Sequence, residues 1–425
     1  MHNNCNSKMR KSKIDNSYLI VGIDIGKINQ YARITDSEGN EIGKKIVFQR
    51  DIFGLNQLIM RINTLKLQYK KTKVLVAMEP TGIYWKNVYE GLKSLDSSLE
   101  CVLVDVKDVI NVRSLFFGTV KSDIVDSLAI AKTATLKGFN KRLELNEREQ
   151  NIKDLNTARE DLLSKILSIK NILTSILDEV FPEYNKLFKD YFKKSSMVFL
   201  DTIFCPQDII NTDLQSLYNK IKSKSKTCIS LSKLAKIKAV ASESIGIKPT
   251  IGKKFHFRTN FELLQSLLHS IEEIDNEIYE LMLEDDMAGR MMDIKGISAI
   301  STANLLSQIG SFDKFNSPKQ LISYCGLNLR VNESGKHKGK TTISKRGNSM
   351  IRAYLFRVML PLIKNNDEFK RLHNHFKTRK DNPLKPMQSM IALSCKLLRV
   401  LFGMAKNNQA YIPEVAFQCN YVEVA

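Results

Sequence analysis

The sequence predicts a mixed α/β protein in which an N-terminal sheet region is followed by long helices and a helical C-terminal region. Short β-branched runs alternate with helical patterns from residue 18 to about residue 140. Apolar residues then recur at the spacing of amphipathic helices. The 425 residues are enough for two or three domains. We expect five segments: a basic tail (1–17), an α/β domain (18–143), long helices with an inserted basic lobe at about 183–258 (144–290), a C-terminal domain (291–410) and a short tail (411–425).

The composition favours a polyanionic partner. Lys and Arg number 65 against 45 Asp and Glu, which gives a formal net charge of +20. Neutralising phosphates releases condensed counterions, so nucleic acid is the leading partner and an anionic membrane surface is second. The uncharged stretch from Gly296 to Phe312 is too short and too polar to cross a bilayer. The start from Met1 to Lys13 lacks the apolar core of a signal peptide, so a membrane-spanning or secreted protein is excluded as a working hypothesis.

The cysteines indicate the compartment. All seven lie far apart and form no Cys-x-x-Cys pair. This spacing favours neither a zinc site nor a disulfide framework. Free thiols are typical of a reducing compartment, so we expect a cytoplasmic protein.

The first strands of the α/β domain are marked by apolar runs and turn residues. The β-branched run Tyr18–Gly26 ends in Gly, which is typical of a buried strand. Two further strands, Tyr31–Thr35 and Glu41–Phe48, flank the turn cluster Ser37–Asn40. We therefore expect a hairpin that pairs with the first strand.

Strand and helix patterns then alternate. Helical spacing covers Phe53–Lys66, and strands are expected at Lys73–Met78 and Cys101–Val106 with a helix at Tyr84–Leu95 between them. Three antiparallel strands followed by strand–helix repeats is the order of a ribonuclease-H-like sheet.

Two long amphipathic helices are predicted next. Leu145–Val180 is closed by Pro182, and a second segment covers Phe261–Met282. Their patterns indicate an antiparallel coiled-coil arm or an oligomer contact. We interpret the Lys- and Ser-rich region Glu183–Arg258 between them as small helices in a basic lobe, for which a solvated charged surface is the simpler explanation.

The segment from Ile294 to Gly310 resembles a helix–hairpin–helix unit. Turn amides and a helix N-terminus in such a unit can hold a DNA phosphate. A plain helical hairpin in a small bundle explains the same pattern.

Four acids could converge on one side of the predicted sheet. Asp24 closes the first strand, and Glu79 ends a later strand just before a Pro-Thr-Gly turn. Asp123 and Asp126 are three residues apart and so share one face of a helix. Such a carboxylate set can hold Mg²⁺ or Mn²⁺, and paired ions stabilise the oxygens of a phosphoryl transfer.

Each acid also has a simpler explanation. Asp123 could be a helix N-cap, and Asp126 could be a first-turn acid that complements the helix dipole. Asp24 and Glu79 could be ordinary polar residues at strand ends. Asp105, after the next strand, is a fifth candidate.

A second group of candidates lies in the loop Tyr324–Arg352. Gly335, Gly339 and Gly347 make the loop flexible, and it is rich in cations suited to phosphate. Ser334 could attack a phosphodiester if a base or metal activates its hydroxyl, or it could be a hydrogen-bonding loop serine. The candidate nucleic-acid-binding side chains are Lys336, Lys338, Lys340, Lys345, Arg346 and Arg352.

Four motifs together resemble those of one family. They are Val21-Gly-Ile-Asp-Ile-Gly-Lys27, Met78-Glu-Pro-Thr-Gly-Ile-Tyr84, Lys121-Ser-Asp-Ile-Val-Asp126 and Ile343-Ser-Lys-Arg-Gly-Asn348. In this order they resemble the DEDD transposases of the insertion-sequence family numbered one hundred and ten. The resemblance implies a RuvC-like domain, a coiled coil and a C-terminal transposase domain with a catalytic serine. It also implies a homo-oligomeric recombinase, dimer or tetramer, that moves its own element between donor and target DNA under the guidance of a bridge RNA.

The resemblance assigns roles to the candidate residues. It implies that Asp24, Glu79, Asp123 and Asp126 are the catalytic acids that hold magnesium, while Asp105 has a supporting role. It makes Ser334 the serine that attacks a DNA phosphate to form a phosphoserine link, with Ser344 and Ser349 as the alternatives.

Two other classes of function remain open. A RuvC-like nuclease would use the same acids with water as its nucleophile and would tolerate the loss of Ser334. A non-enzymatic nucleic-acid-binding scaffold would need only the basic surface.

Overall fold

The computed structural model describes residues 14–118, 122–137, 146–224, 229–330, 333–334, 337–338 and 342–417. The chain divides into two compact units, Met1–Glu144 (unit 1) and Leu145–Ala425 (unit 2).

Unit 1 is built on a five-stranded mixed sheet. Its strands are β1 (Tyr18–Ile25), β2 (Asn29–Thr35), β3 (Glu41–Gln49), β4 (Lys73–Met78) and β5 (Leu99–Leu103), and its helices are α1 (Ile52–Gln68), α2 (Tyr84–Leu95), α3 (Val106–Phe117) and α4 (Asp123–Lys137). The strand order is β3-β2-β1-β4-β5. β1, β2 and β3 pair antiparallel, whereas β1, β4 and β5 run parallel. The predicted mixed α/β architecture is therefore confirmed.

Two details of unit 1 differ from the sequence prediction. The strand expected at Cys101–Val106 covers Leu99–Leu103, and the helix α3 that follows it was not predicted. The cause is Asp105, whose side chain accepts a hydrogen bond from the Lys107 amide and begins α3 as its N-cap. The chain therefore leaves the sheet earlier than the apolar run suggests.

The two faces of the sheet carry separate cores. Along β1, Leu19, Val21 and Ile23 pack into the cluster that includes α1 and α2. Tyr18 and Ile20 point to the opposite face and pack into the cluster that includes α4. This alternation follows from the period-two geometry of a strand.

Gly22 allows α4 to lie directly on β1. A Cβ atom at this position would stand 2.2 Å from the backbone oxygen of Ser127 and 2.5 Å from the backbone nitrogen of Ala131. Both atoms belong to the α4 backbone, so no change of rotamer can relieve the clash. The absence of a side chain at residue 22 therefore fixes how closely α4 approaches the strand that carries Asp24.

Gly22→Ala is expected to destabilise unit 1 by about 2 kcal/mol, because the new methyl group overpacks against backbone atoms. Urea unfolding followed by circular dichroism measures this change. Gly403→Ala is the matched control, since a Cβ atom there meets no atom within 4 Å. Equal stability of Gly22→Ala and the native protein would contradict the close packing of α4 on β1.

Unit 2 begins with two long helices that pack antiparallel. They are α5 (Glu147–Val180) and α11 (Ile251–Leu283). Ion pairs join them at both ends of the contact, Arg159 with Asp275 and Lys253 with Glu179. α11 begins ten residues before the predicted Phe261, because Thr250 caps the helix by accepting a hydrogen bond from the Lys253 amide.

The basic lobe packs together with α5 and α11 around one apolar core. Its helices are α6 (Tyr184–Leu187), α7 (Lys194–Thr202), α8 (Pro206–Asn211), α9 (Leu214–Lys224) and α10 (Leu231–Ser242). Tyr184 and Phe199 are fully buried, and the Tyr184 hydroxyl is hydrogen-bonded to Ser196 at 2.6 Å. The lysines of this region thus surround a packed core.

The remainder of unit 2 is mainly helical. Its elements are α12 (Asp286–Met292), α13 (Ala299–Ile309), α14 (Pro318–Tyr324), β6 (Leu329–Arg330), β7 (Glu333–Ser334), β8 (His337–Lys338), β9 (Thr342–Ile343), α15 (Ser349–Asn365), α16 (Asp367–Thr378), α17 (Pro386–Asn407) and α18 (Pro413–Phe417). A tight turn at Gly296, with φ of +100°, joins α12 to α13. Ser298 caps α13, so both the helix–hairpin–helix and the plain-hairpin interpretations stay open.

The helix α17 is long and largely apolar. Of the described helices, it alone has the length and composition that could cross a membrane, and 50% of the apolar window is buried inside the structure. Leu393, Leu397 and Leu401 belong to the main core of unit 2. The sequence pattern did not single out α17 as a possible membrane-spanning segment, because lysines and an arginine interrupt its apolar run.

Candidate active site

The first two acids lie at the ends of neighbouring parallel strands. Residue pairing between β1 and β4 places Ile23 beside Met78, so Asp24 and Glu79 are the next positions in the same register. On β4, Leu75 and Ala77 pack on the α4 side of the sheet, and the alternation continues to Glu79. Asp24 follows Ile20 and Gly22 on that side, so both carboxylates are directed to the same edge.

The other two acids begin the helix α4. Ser122 is the residue whose hydroxyl accepts a hydrogen bond from the Val125 amide, at 3.3 Å. The interpretation of Asp123 as the N-cap is therefore wrong, because Ser122 already performs that task. Asp123 is exposed and Asp126, one turn further, is half-buried.

Electrostatics connect the four acids. Burial is the main cause that raises the pKa of Asp24 to about 6, and the negative charges of Asp123, Asp126 and Glu79 contribute to the same rise. A hydrogen bond from the Ile25 amide opposes this shift. The structure thus brings the four predicted acids within electrostatic range of one another at one edge of unit 1.

Arg113 is the residue of this edge that sequence reasoning missed. It lies on α3, and its Nη1 donates a hydrogen bond of 2.8 Å to Oδ1 of Asp126 on α4. The sequence indicated Arg113 only weakly, because its position depends on α3. That helix could have been recognised only from the cap Asp105 and the buried Val109 and Val112.

Asp105 has a structural task. Its exposed side chain caps α3 through the Lys107 amide at 2.8 Å. This contact accounts for the carboxylate without a metal, and the supporting role of Asp105 stays a prediction.

The acids fit a divalent cation in chemistry and charge. Carboxylate oxygens are the ligands that Mg²⁺ prefers, and a repulsive acid cluster gains from a cation. Among the residues that the structure describes, however, no three His, Cys, Asp or Glu side chains stand close enough to bind one ion together. Coordination of one ion by three of these side chains would require them to stand closer together than they do here.

Asp24→Asn is expected to stabilise the metal-free protein at neutral pH. The pKa of Asp24 is about 6 in the folded state against 3.8 ordinarily, so the folded state binds more protons between these values and native stability falls as pH rises through this window. The variant lacks this loss, and we expect a gain on the order of 1 kcal/mol above pH 6 after allowing for solvent screening.

Chemical denaturation in a chelator at several pH values measures this gain. The difference between the variant and the native protein should vanish toward about pH 3, below the ordinary pKa of 3.8, where Asp24 is mostly neutral in both folded and unfolded states. A difference that is constant across this range would contradict the assigned cause.

The candidate nucleophile lies near the end of a narrow β-hairpin. β6 pairs with β9, and beyond them β7 pairs with β8, so that Ser334 is opposite His337. Ser334 thus lies at the end of β7, and Lys338 lies on the paired strand β8. Lys336 and Lys340 lie outside the described residues.

The segment after the hairpin is held firmly against α14. The amides of Ser344, Lys345 and Asn348 donate to backbone oxygens of residues 328, 326 and 324. Gly347 has φ of +151°, and a Cβ atom there would stand 2.3 Å from the oxygen of Tyr324. This anchoring leaves Lys345 and Arg346 exposed on a fixed backbone, as a phosphate contact needs.

Arg352 serves this anchoring. Its Nη1 donates to the backbone oxygens of Cys325, Gly347 and Asn348 at 3.0 to 3.2 Å. The guanidinium thus ties the segment to the start of α15, and its phosphate contact stays a prediction.

The two alternative serines differ from Ser334 in position. The Ser344 hydroxyl donates to the Gly326 oxygen and accepts from the Arg346 amide, both at 3.3 Å. Ser349 is the first residue of α15. The Ser344 hydroxyl therefore already has two hydrogen-bond partners in the turn that it stabilises.

Family comparisons cover both regions. Residues 288–374 match the family model described as the transposase IS116/IS110/IS902 family, and residues 21–182 match a transposase model for the DEDD type of IS110. The two models together cover more than half of the chain. The four acids lie in the N-terminal match and Ser334 lies in the C-terminal one.

Two curated proteins show partial similarity. The transposase for insertion sequence element IS1111A of Coxiella burnetii is 27% identical over 139 residues, which are 31% of this chain and 37% of that protein. The pilin gene-inverting protein of Moraxella bovis is 28% identical over 148 residues, which are 33% of this chain and 45% of that protein. The chain thus matches less than half the length of each of these two relatives.

Proposed function

The chain belongs to the IS110 family of DEDD transposases, and from this membership we propose that it cuts and rejoins DNA to excise and insert a mobile element. The observation that carries the proposal is the convergence of Asp24, Glu79, Asp123 and Asp126 at one edge of the unit 1 sheet. Among the two relatives, one is described as a transposase and the other as a gene-inverting protein. Both names describe proteins that rearrange DNA.

The four acids are the residues that would hold a divalent cation, magnesium or manganese. When bound, such an ion stabilises the charge that develops on the phosphate oxygens. The acids would hold the ion at the ends of the strands β1 and β4 and at the start of α4. Arg113 keeps Asp126 in place at the same edge.

Ser334 is the proposed nucleophile. Its hydroxyl oxygen forms a bond to phosphorus while the bond from phosphorus to one strand oxygen breaks, and the hydroxyl proton is released. The departing oxygen keeps the electron pair and takes up a proton. The freed oxygen of a second cleaved strand then attacks the phosphoserine, which joins the two strands and releases the serine oxygen. Because one phosphoester replaces another, strand exchange needs no external energy source.

The partners of the proposed reaction are donor DNA, target DNA and a structured guide RNA. The formal net charge of +20 supports binding of both nucleic acids. The exposed Lys345 and Arg346 contact phosphate and position the duplex without reading its sequence. Target choice is assigned to base pairing with the bridge RNA, and the active protein is a dimer or tetramer.

A metal-dependent RuvC-like nuclease is the second candidate. The observation that favours it is that all four acids lie in unit 1, which does not contain Ser334. With water as the nucleophile, this enzyme would release free strand ends.

One experiment tests these proposals. The full-length protein is incubated with magnesium, donor DNA, target DNA and the RNA of its element, with or without ribonuclease. Recombination that requires the RNA, Asp24 and Ser334 supports the guided recombinase. Cleavage that needs Asp24 but survives Ser334→Ala indicates the nuclease, and binding without cleavage indicates a scaffold. Equal target choice after ribonuclease treatment would exclude the guided mechanism.

A further inference from the structure

Arg113 forms an ion pair with Asp126, one of the four acids. It comes from α3, Asp126 comes from α4, and Nη1 lies 2.8 Å from Oδ1. The Arg113 and Asp126 side chains are 23% and 16% exposed, so salt and solvent weaken this ion pair less than an ordinary surface pair. The contact is a single hydrogen bond rather than a two-pronged one, and it uses Oδ1 only.

The position of this pair matters because of its neighbours. Asp126 is one of three acids whose charge acts on Asp24. A guanidinium at Asp126 therefore offsets part of the negative charge of the whole cluster. It also places a positive charge next to the oxygens that a divalent cation would need, and like charges repel strongly at such short range.

The spacing of the acids agrees with this view. No three metal-binding side chains among the described residues stand close enough to share an ion. Arg113 keeps the Asp126 carboxylate engaged on the α3 side. The guanidinium thus occupies an oxygen that a bound cation would require.

We propose that Arg113 is a built-in counter-ion that occupies Asp126 until the acid cluster takes up a divalent cation, and that the two exchange. This inference rests on the proposed metal-dependent function of the acids. Arg113 is a positioning residue, because it acts through Asp126. It stabilises the acid cluster without metal and leaves Asp126 when the cluster is neutralised by the incoming charge.

The test measures binding of Mn²⁺ to the full-length protein by titration calorimetry and by the Mn²⁺ electron paramagnetic resonance signal. Arg113→Gln removes the competing cation, so we expect it to bind Mn²⁺ about tenfold more tightly than the native protein, since one unit charge near the site is removed. The melting temperature of the metal-free variant should be lower than that of the native protein. Saturating Mn²⁺ should remove most of that difference.

Two matched variants complete the test. Arg113→Lys keeps the charge and is expected to bind Mn²⁺ as the native protein does. Arg33→Gln removes another half-buried ion pair of unit 1, with Glu41, and is expected to leave Mn²⁺ affinity unchanged. Tighter binding in Arg33→Gln as well would mean that net charge alone controls affinity, and would overturn the exchange.

The outcomes separate the two levels of inference. If the native protein binds no Mn²⁺, the proposed metal site itself is wrong. If the native protein binds Mn²⁺ and Arg113→Gln binds it equally or more weakly, only the exchange is wrong and Arg113 merely fixes Asp126. Arg113→Met is also expected to bind Mn²⁺ more tightly than the native protein. If neither Arg113→Met nor Arg113→Gln folds, the ion pair is structural and is not displaced by a cation.

Discussion

Ser334→Ala is expected to abolish both recombination and the covalent protein–DNA adduct while DNA and RNA binding persist. If the hydroxyl attacks the phosphodiester, each cleaved strand stays attached through a phosphoserine, and a denaturing gel shows the adduct. A methyl group in place of the hydroxyl has no nucleophilic atom, so the loss should be complete within detection. Binding should survive because the exposed Lys345 and Arg346 are unchanged.

Ser344→Ala is the matched control for this experiment. The Ser344 hydroxyl is engaged with the Gly326 oxygen and the Arg346 amide, so its loss should lower stability slightly and keep the adduct. An adduct lost in Ser344→Ala but kept in Ser334→Ala would show that the nucleophile is misassigned. Clean nicking by the native protein, without an adduct in any variant, would favour the nuclease.

Local patterns in the sequence were sufficient for the sheet of unit 1. The predicted helix Tyr84–Leu95 and strand Lys73–Met78 have the bounds that the structure shows. The helix has its buried residues at helical spacing, and the strand is a short apolar run with a clear boundary. The placement of Asp24 and Glu79 at one edge follows from the parallel pairing of their strands.

The errors have a common physical cause in helix caps. Asp105 begins α3, Ser122 begins α4 and Thr250 begins α11 through side-chain hydrogen bonds to amides two or three residues later. Such bonds start a helix within residues that carry no apolar periodicity. A search for periodicity alone therefore misses α3 and places the start of α11 too late.

Contacts between elements far apart in the chain could not be predicted from the sequence, for a different reason. The Arg113–Asp126 ion pair depends on the packing of α3 against α4. The importance of Gly22 depends on how closely α4 approaches β1. Neither is encoded in a local pattern, because each residue type is common and only the tertiary fold selects its partner.

The edge of the unit 1 sheet combines two opposing demands. Close packing over Gly22 brings the start of α4 to β1, and so brings Asp123 and Asp126 toward Asp24. Burial and, after it, the resulting repulsion raise the pKa of Asp24 and cost stability without a cation. A fold selected for stability alone would avoid this arrangement, which is typical of a site that binds a positive charge.

Asp24→Asn should therefore have opposite effects on stability and on activity. It removes a repulsive charge, so the metal-free variant is the more stable protein at neutral pH. It also removes a central member of the acid cluster, and we expect strand cleavage to fall below about one thousandth of the native rate, since a metal ion supplies several kcal/mol of transition-state stabilisation. Cleavage assays with labelled DNA in magnesium measure this loss.

The response to metal gives the decisive comparison for Asp24. Mg²⁺ or Mn²⁺ should raise the melting temperature of the native protein, because a cation that binds only the folded state stabilises it by mass action. Asp24→Asn should show little of this rise, whereas Asp105→Asn, altered at the α3 cap, should keep both the rise and the cleavage. Full cleavage by the native protein in excess chelator would contradict the metal-dependent role of the acids. Loss of cleavage in Asp24→Asn with an unchanged metal response would instead place Asp24 in the reaction but outside the metal site.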